Sequence, residues 1–159
     1  MTPCPDCRWP LESHDRDISF HLPDELEDWS AEELAEKTSR LDTFLHVKPN
    51  RFFMRALIPI HLHHDHIVVF GAWLAVDRPT VENASRIWNT PEYGSFSCSG
   101  FLANALPPWP NIVGAPLTVE SRHLEELPYA VSSSDAKMNE IVNSKWSHQT
   151  VLNSLAEIT

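Results

Sequence analysis

A chain of 159 residues, 42% of them hydrophobic, is long enough to bury a full core without disulfides or structural metal, which excludes a disordered protein. Three cysteines, two of them in one Cys-x-x-Cys, exclude a disulfide framework. A formal charge of -10 argues against nucleic acid and anionic lipid as partners, because both carry dense negative charge of their own and are repelled by an acidic face.

The first chemical signal along the chain is Cys4-Pro5-Asp6-Cys7. Two thiolates at this spacing can clasp one side of a tetrahedral zinc at about 2.3 Å, and a closed site needs two further ligands. His14 and His21 follow at regular intervals, so Cys4, Cys7, His14 and His21 form a candidate zinc quartet. The interval is not that of a standard finger. Arg8 also stands where a zinc knuckle uses glycine for a tight turn. A redox role is disfavoured, since Pro10 and the acidic stretch beyond it offer no βαβ setting. Met1 to Trp9 lack the apolar stretch of a secretory signal, and the longest uncharged apolar run, Ile67 to Val76, is too short for a bilayer. The expected setting is cytoplasmic, with reduced thiols and no membrane partner.

The excess charge is concentrated. Glu12 to Glu36 hold ten acids and one base, whereas the other residues hold twelve acids and eleven bases. Such a face serves solubility, or attracts a basic protein. Within it, Asp17 to Leu22 alternate and predict a strand. Ser30-Ala31-Glu32-Glu33 is a capping box, which predicts a helix carrying Leu34, Ala35 and Leu41. Thr43 to Val47 predict a strand, and Pro49-Asn50 a turn.

Two apolar runs follow, Arg51 to Ile60 and Ile67 to Val76, and predict an antiparallel hairpin at the centre of a sheet. Between them lie His61, His63, His64, Asp65 and His66. On a strand His61 and His63 would share a face, so His61, His63 and His66 are a second candidate metal set, with Asp65 as a ligand or an orienting group. The competing reading is an exposed polar turn with incidental histidines. Arg55 is unusual inside an apolar strand. It could bind a carboxylate or phosphate ligand, pair with an acid such as Asp42 or Asp77, or face outward.

Pro79-Thr80 predict a helix start, with Val81, Ala84, Ile87 and Trp88 at helical spacing and Pro91 beyond its end. Ser95 to Leu106 predict a strand with Phe96, Cys98, Gly100, Leu102 and Asn104 on one face, stopped by Pro107-Pro108-Trp109-Pro110. Asn104, if buried, must be hydrogen-bonded, and stapling that proline turn is the expected role. Cys98 would need a base such as His123 to act as a nucleophile, and is otherwise a small buried hydrophobe. Trp73, Trp88, Trp109 and Tyr93 could line a pocket, though core is the commoner role. Leu117 to Ser121 and Tyr129 to Ser132 predict strands. Met138 to Trp146 and Val151 to Ile158 predict helices. The expected fold is α+β: one domain over 1–159, with a central, mostly antiparallel sheet and flanking helices. Residues 1–28 form its Cys-x-x-Cys and acidic segment and 29–159 its core.

Several strings resemble a bacterial family known as domain-of-unknown-function family 2199: Cys4-Pro5-Asp6-Cys7, Phe52-Phe53-Met54-Arg55, Gly71-Ala72-Trp73-Leu74, and Gly100 to Pro110. The last, Gly-x-Leu-x-Asn-x-Leu-Pro-x-aromatic-Pro, is the most specific. The resemblance covers nearly the whole chain and implies a single bacterial, cytoplasmic domain. It implies no activity. Arg8 and the stretch to Ile18 depart from the family pattern, and the histidine cluster is outside it.

Phosphate-loop, Rossmann, Gly-x-Ser-x-Gly and His-Glu-x-x-His motifs are absent. Two functions remain open on the sequence. One is a non-catalytic binding domain for a basic protein or a small anionic ligand, with zinc as a candidate cofactor in the N-terminal segment. The alternative is a metal-dependent hydrolase using the N-terminal or histidine-cluster site.

Overall fold

The computed structural model describes residues 16–41 and 43–155. In chain order the elements are β1 (Arg16–Ser19), α1 (Ala31–Lys37), β2 (Thr38–Leu41), β3 (Phe44–Val47), β4 (Arg51–Leu62), β5 (Ile67–Val76), α2 (Arg78–Ile87), β6 (Ser97–Leu102), β7 (Pro116–Glu120), β8 (Tyr129–Ser132), α3 (Ala136–Asn143), β9 (Lys145–Trp146) and α4 (His148–Leu155). The α+β expectation holds, and the antiparallel hairpin β4–β5 is the centre of the sheet, registered from Phe52 opposite Val76 to His61 opposite Ile67.

The sheet closes on itself, which no local pattern announced. β4, β5, β6, β7 and β8 pair in sequence, and β8 returns to β4 through Leu57 and Tyr129. Strands of a meander alternate in direction, so the first and fifth run the same way. The closing pair is therefore parallel, as observed. Leu57 N–H donating to the Pro128 carbonyl at 2.8 Å reinforces this seam. Gly100 permits close approach at the β5–β6 seam: a Cβ there would lie 2.7 Å from the Ala75 carbonyl oxygen and 2.8 Å from Val76.

Both faces of the hairpin are covered, which explains its nearly unbroken apolar runs. Even-numbered residues from Met54 to Leu62 and from Val68 to Leu74 enter the main core. There they meet Leu102, Leu117, Val119 and Ala130 of the barrel, and Met138, Ile141, Val151, Leu152 and Leu155 of α3 and α4. Odd-numbered Phe53 and Trp73 enter a second, smaller core with Leu26, Leu45 and Val47. The outer edge of β4 is shared by β3, β8 and β9, and that of β5 by β1 and β6. This division lets strands fold over the second face as well as the first.

Several boundaries differ from expectation. Ser30 caps α1 as the capping box predicts, its Oγ accepting from Glu33 N–H at 3.1 Å. The helix stops at Lys37, however, because Thr38 turns extended and its hydroxyl donates to the Leu34 carbonyl. Residues through Leu41 then pair with β3 as a strand. β6 ends at Leu102, short of the predicted Leu106, because the next residues turn toward the 22–24 segment. Trp146 leaves the last turn of α3 and pairs with Leu62 in β9, its indole donating to the Ile141 carbonyl at 3.1 Å.

Candidate functional site

The second face of the hairpin gathers the chemistry. Arg55 and Trp73 are cross-strand partners in β4 and β5, so their side chains share that face. The Trp73 side chain is fully buried, and its indole N–H donates to the Phe20 carbonyl at 3.1 Å. Arg55 reaches across it: the guanidinium lies 4.7 Å from the ring centroid and donates to the same carbonyl at 2.9 Å. Arg40, exposed on edge strand β2, brings a second guanidinium to 5.4 Å from the same ring. It also lies 3.5 Å from Nε2 of His21. The sheet thus curls until residue 21, after β1, meets β2 across the face.

Two cations on one indole repel each other. Burial, and then the neighbouring Arg40 charge, lower the pKa of Arg55 below the usual guanidinium range. Among the described residues no carboxylate lies within ion-pair distance of either arginine. Asp77, one expected partner of Arg55, instead caps α2 by accepting from Thr80 N–H at 2.9 Å and Thr80 O–H at 2.5 Å. Asp42, the other, lies outside the described residues.

Asn104 fixes the frame of this site. It is fully buried, and its Oδ1 accepts from Trp73 N–H at 2.8 Å. Its Nδ2 donates at 2.9 Å both to the Leu22 carbonyl and to Asp24 Oδ1. Asp24 Oδ2 in turn accepts from Ala105 N–H at 2.7 Å. The expected staple of the proline turn is not its role. That turn closes on its own backbone, with Trp109 N–H donating to the Leu106 carbonyl. Three of the strings noted in the sequence therefore meet here: Trp73 from one, Arg55 on its ring and Phe53 beside it in the second core from another, and Asn104 on its backbone from the third. One pleat away from Arg55, Phe53 and Ala75 open into a groove of about 500 Å³.

The candidate metal residues are differently placed. Cys4, Cys7 and His14 lie outside the described residues, and His21 is exposed beside Arg40. β4 ends at Leu62, so His61 is on the strand whereas His63 is in the turn, and the two do not share a strand face. His64 and Asp65 hold the turn with φ of 66° and 62°. The cluster is docked on α4 by a residue that sequence reasoning passed over: His148, buried, whose Nε2 donates to the His63 carbonyl at 2.5 Å. The rings of His64 and His66 lie edge-on to it at 5.7 and 5.6 Å. A lone histidine opening an apolar helix was the only available signal. Among the described residues no three His, Cys, Asp or Glu side chains are grouped to hold a metal ion.

Cys98 sits against the main core, where burial and then the nearby Asp77 charge push its thiol up to about 11. Both causes disfavour the thiolate that a nucleophile needs. Below pH 9 its alkylation by iodoacetamide is expected to run about 100-fold slower in the folded chain than in urea, from the lost thiolate fraction alone. Peptide mapping of Cys98 checks this, and equal rates in both states would mean that the thiol is not buried as described.

No helix among the described residues is long and apolar enough to cross a membrane. A family model described as "Uncharacterized protein conserved in bacteria (DUF2199)" matches residues 3–143. No curated protein and no solved structure matches the chain.

Proposed function

The chain thus belongs to the bacterial DUF2199 family, and from its site we propose that it is a non-catalytic binding domain that takes a small anionic ligand at Arg40, Arg55 and Trp73. The observation that carries this reading is the pair of guanidinia on one buried indole, with no acidic partner among the described residues. An anion between them relieves their mutual repulsion. It also accepts charge-assisted hydrogen bonds from donors that the Phe20 carbonyl and His21 leave over. Carboxylate and phosphate both match the planar fork of arginine.

Inorganic phosphate and succinate, titrated into the full chain by calorimetry, test the proposal and separate the two anion classes. At least one is expected to bind saturably, and Arg55→Met or Arg40→Met to weaken it by about 10- to 100-fold each. Arg55→Met should change stability by only about 1 kcal/mol, because the Phe20 carbonyl keeps its bond from the Trp73 indole. Identical titrations for the wild type and both variants would sink the reading.

A further inference from the structure

Three large hydrophobic side chains are notably exposed among the described residues, Phe101, Val113 and Leu124, and two of them flank a single groove. Phe101, 57% exposed, leaves the barrel wall at the end of β6. Val113, 46% exposed, is brought alongside by the backbone bonds of Gly114 N–H to the Leu102 carbonyl and Leu102 N–H to the Ala115 carbonyl. Phe53, Ala75 and Ala103 line the remainder of the groove. This depression is apolar, and a barrel whose interior is already filled does not need it for its core.

Its rim is acidic. The turn Asp24–Leu26 contributes Asp24 and Glu25 to the lining. Asp24 is engaged by Asn104 and Ala105, and Glu25 pairs with Arg51. From that rim the chain runs directly into Glu27 and Asp28 and then α1, where Glu32, Glu33 and Glu36 are also exposed. Between residues 24 and 36 there are seven acids and no base. The apolar slot is therefore followed in the chain by a run of exposed acids, with Lys37 in the last turn of α1 as the next base.

We propose that this groove docks a protein segment with an aromatic or aliphatic anchor flanked by lysine or arginine. The anchor enters between Phe101 and Val113, and the basic flank lies along the Glu27–Glu36 band. The apolar contact supplies affinity and the band selects the charge of the partner. The groove adjoins the Arg40–Arg55 pair, but neither arginine lines it, so either proposal can fail alone.

The test is selection of random dodecapeptides displayed on phage against the immobilised full chain, followed by calorimetry of the enriched peptides. Enriched sequences are expected to carry an apolar anchor with basic neighbours. Phe101→Ser/Val113→Ser should weaken them at least about 10-fold, and Glu27→Gln/Asp28→Asn severalfold. Raising salt from about 50 to 300 mM should weaken them as well. Both variant pairs change exposed side chains, and far-UV circular dichroism verifies that each still folds. Acidic or charge-indifferent peptides, binding untouched by Phe101→Ser/Val113→Ser, or no enrichment over a blank surface would each overturn the proposal. So would concentration-dependent self-association abolished by that variant, which would make a second copy of the chain the occupant.

Discussion

Trp73→Ala is expected to destabilise the chain by about 3–5 kcal/mol, the usual cost of emptying a fully buried indole site. The second core is small, with Leu26, Leu45, Val47 and Phe53 as its other buried members and Phe20, Leu22, Trp29 and Leu34 only partly buried against it. The loss would also remove one of the two donors on the Phe20 carbonyl and the surface on which both guanidinia rest. Urea unfolding followed by far-UV circular dichroism measures the effect without relying on tryptophan emission. Trp73→Phe should cost less, because a ring remains to fill most of the site and offer a face to the arginines. A loss below about 1 kcal/mol for Trp73→Ala would contradict the packing of the second face.

Asn104→Leu is expected to cost a similar amount, about 3–5 kcal/mol, for a different reason. The two side chains have the same number of heavy atoms and leucine is the bulkier, so no cavity opens. What is lost is the partner of Trp73 N–H, of the Leu22 carbonyl and of one bond to Asp24, at a position with no access to water. Each buried group left unpaired costs about 1–3 kcal/mol. The substitution releases the 22–24 segment from the end of β6, so amide exchange should accelerate at Trp73 and Ala105 before it does in the main core. An Asn104→Leu chain as stable as the wild type would show that this amide is not the tie between the two segments.

Much of the framework was legible locally. Hairpin strands β4 and β5 stand out because β-branched and aromatic residues fill both runs, and β5 keeps its predicted bounds of Ile67–Val76. Ser30 announces a helix start because the side-chain cap is a contact only three residues long, and Pro79 marks the first turn of α2, although its cap, Asp77, was read only as a partner for Arg55. The barrel was not legible. Its closure depends on Leu57 meeting Tyr129, a contact between residues far apart that leaves no periodic trace in either segment. The second core was hidden for a related reason. A strand covered on both faces loses the alternation that would have separated Phe53 and Trp73 from Met54 and Leu74.

The candidate site divides in the same way. Arg55 could be singled out as a charge inside an apolar run, and Asn104 as an amide that had to find partners if buried. Their partners could not be named. Arg40 arrives from a strand read as the end of a helix, and Phe20 and Leu22 from a segment whose pairing runs parallel to β5. By itself the sequence determined which residues alternate, where helices begin, where charge accumulates and which polar groups need an explanation, because these follow from neighbours within a few positions. The tertiary structure alone decided that two arginines share one indole, that Asn104 ties Trp73 to Leu22 and Asp24, and that Phe101 and Val113 flank an apolar groove with an acidic rim. Those outcomes rest on strand register and closure, which are set by packing across the whole chain and not by any local spacing.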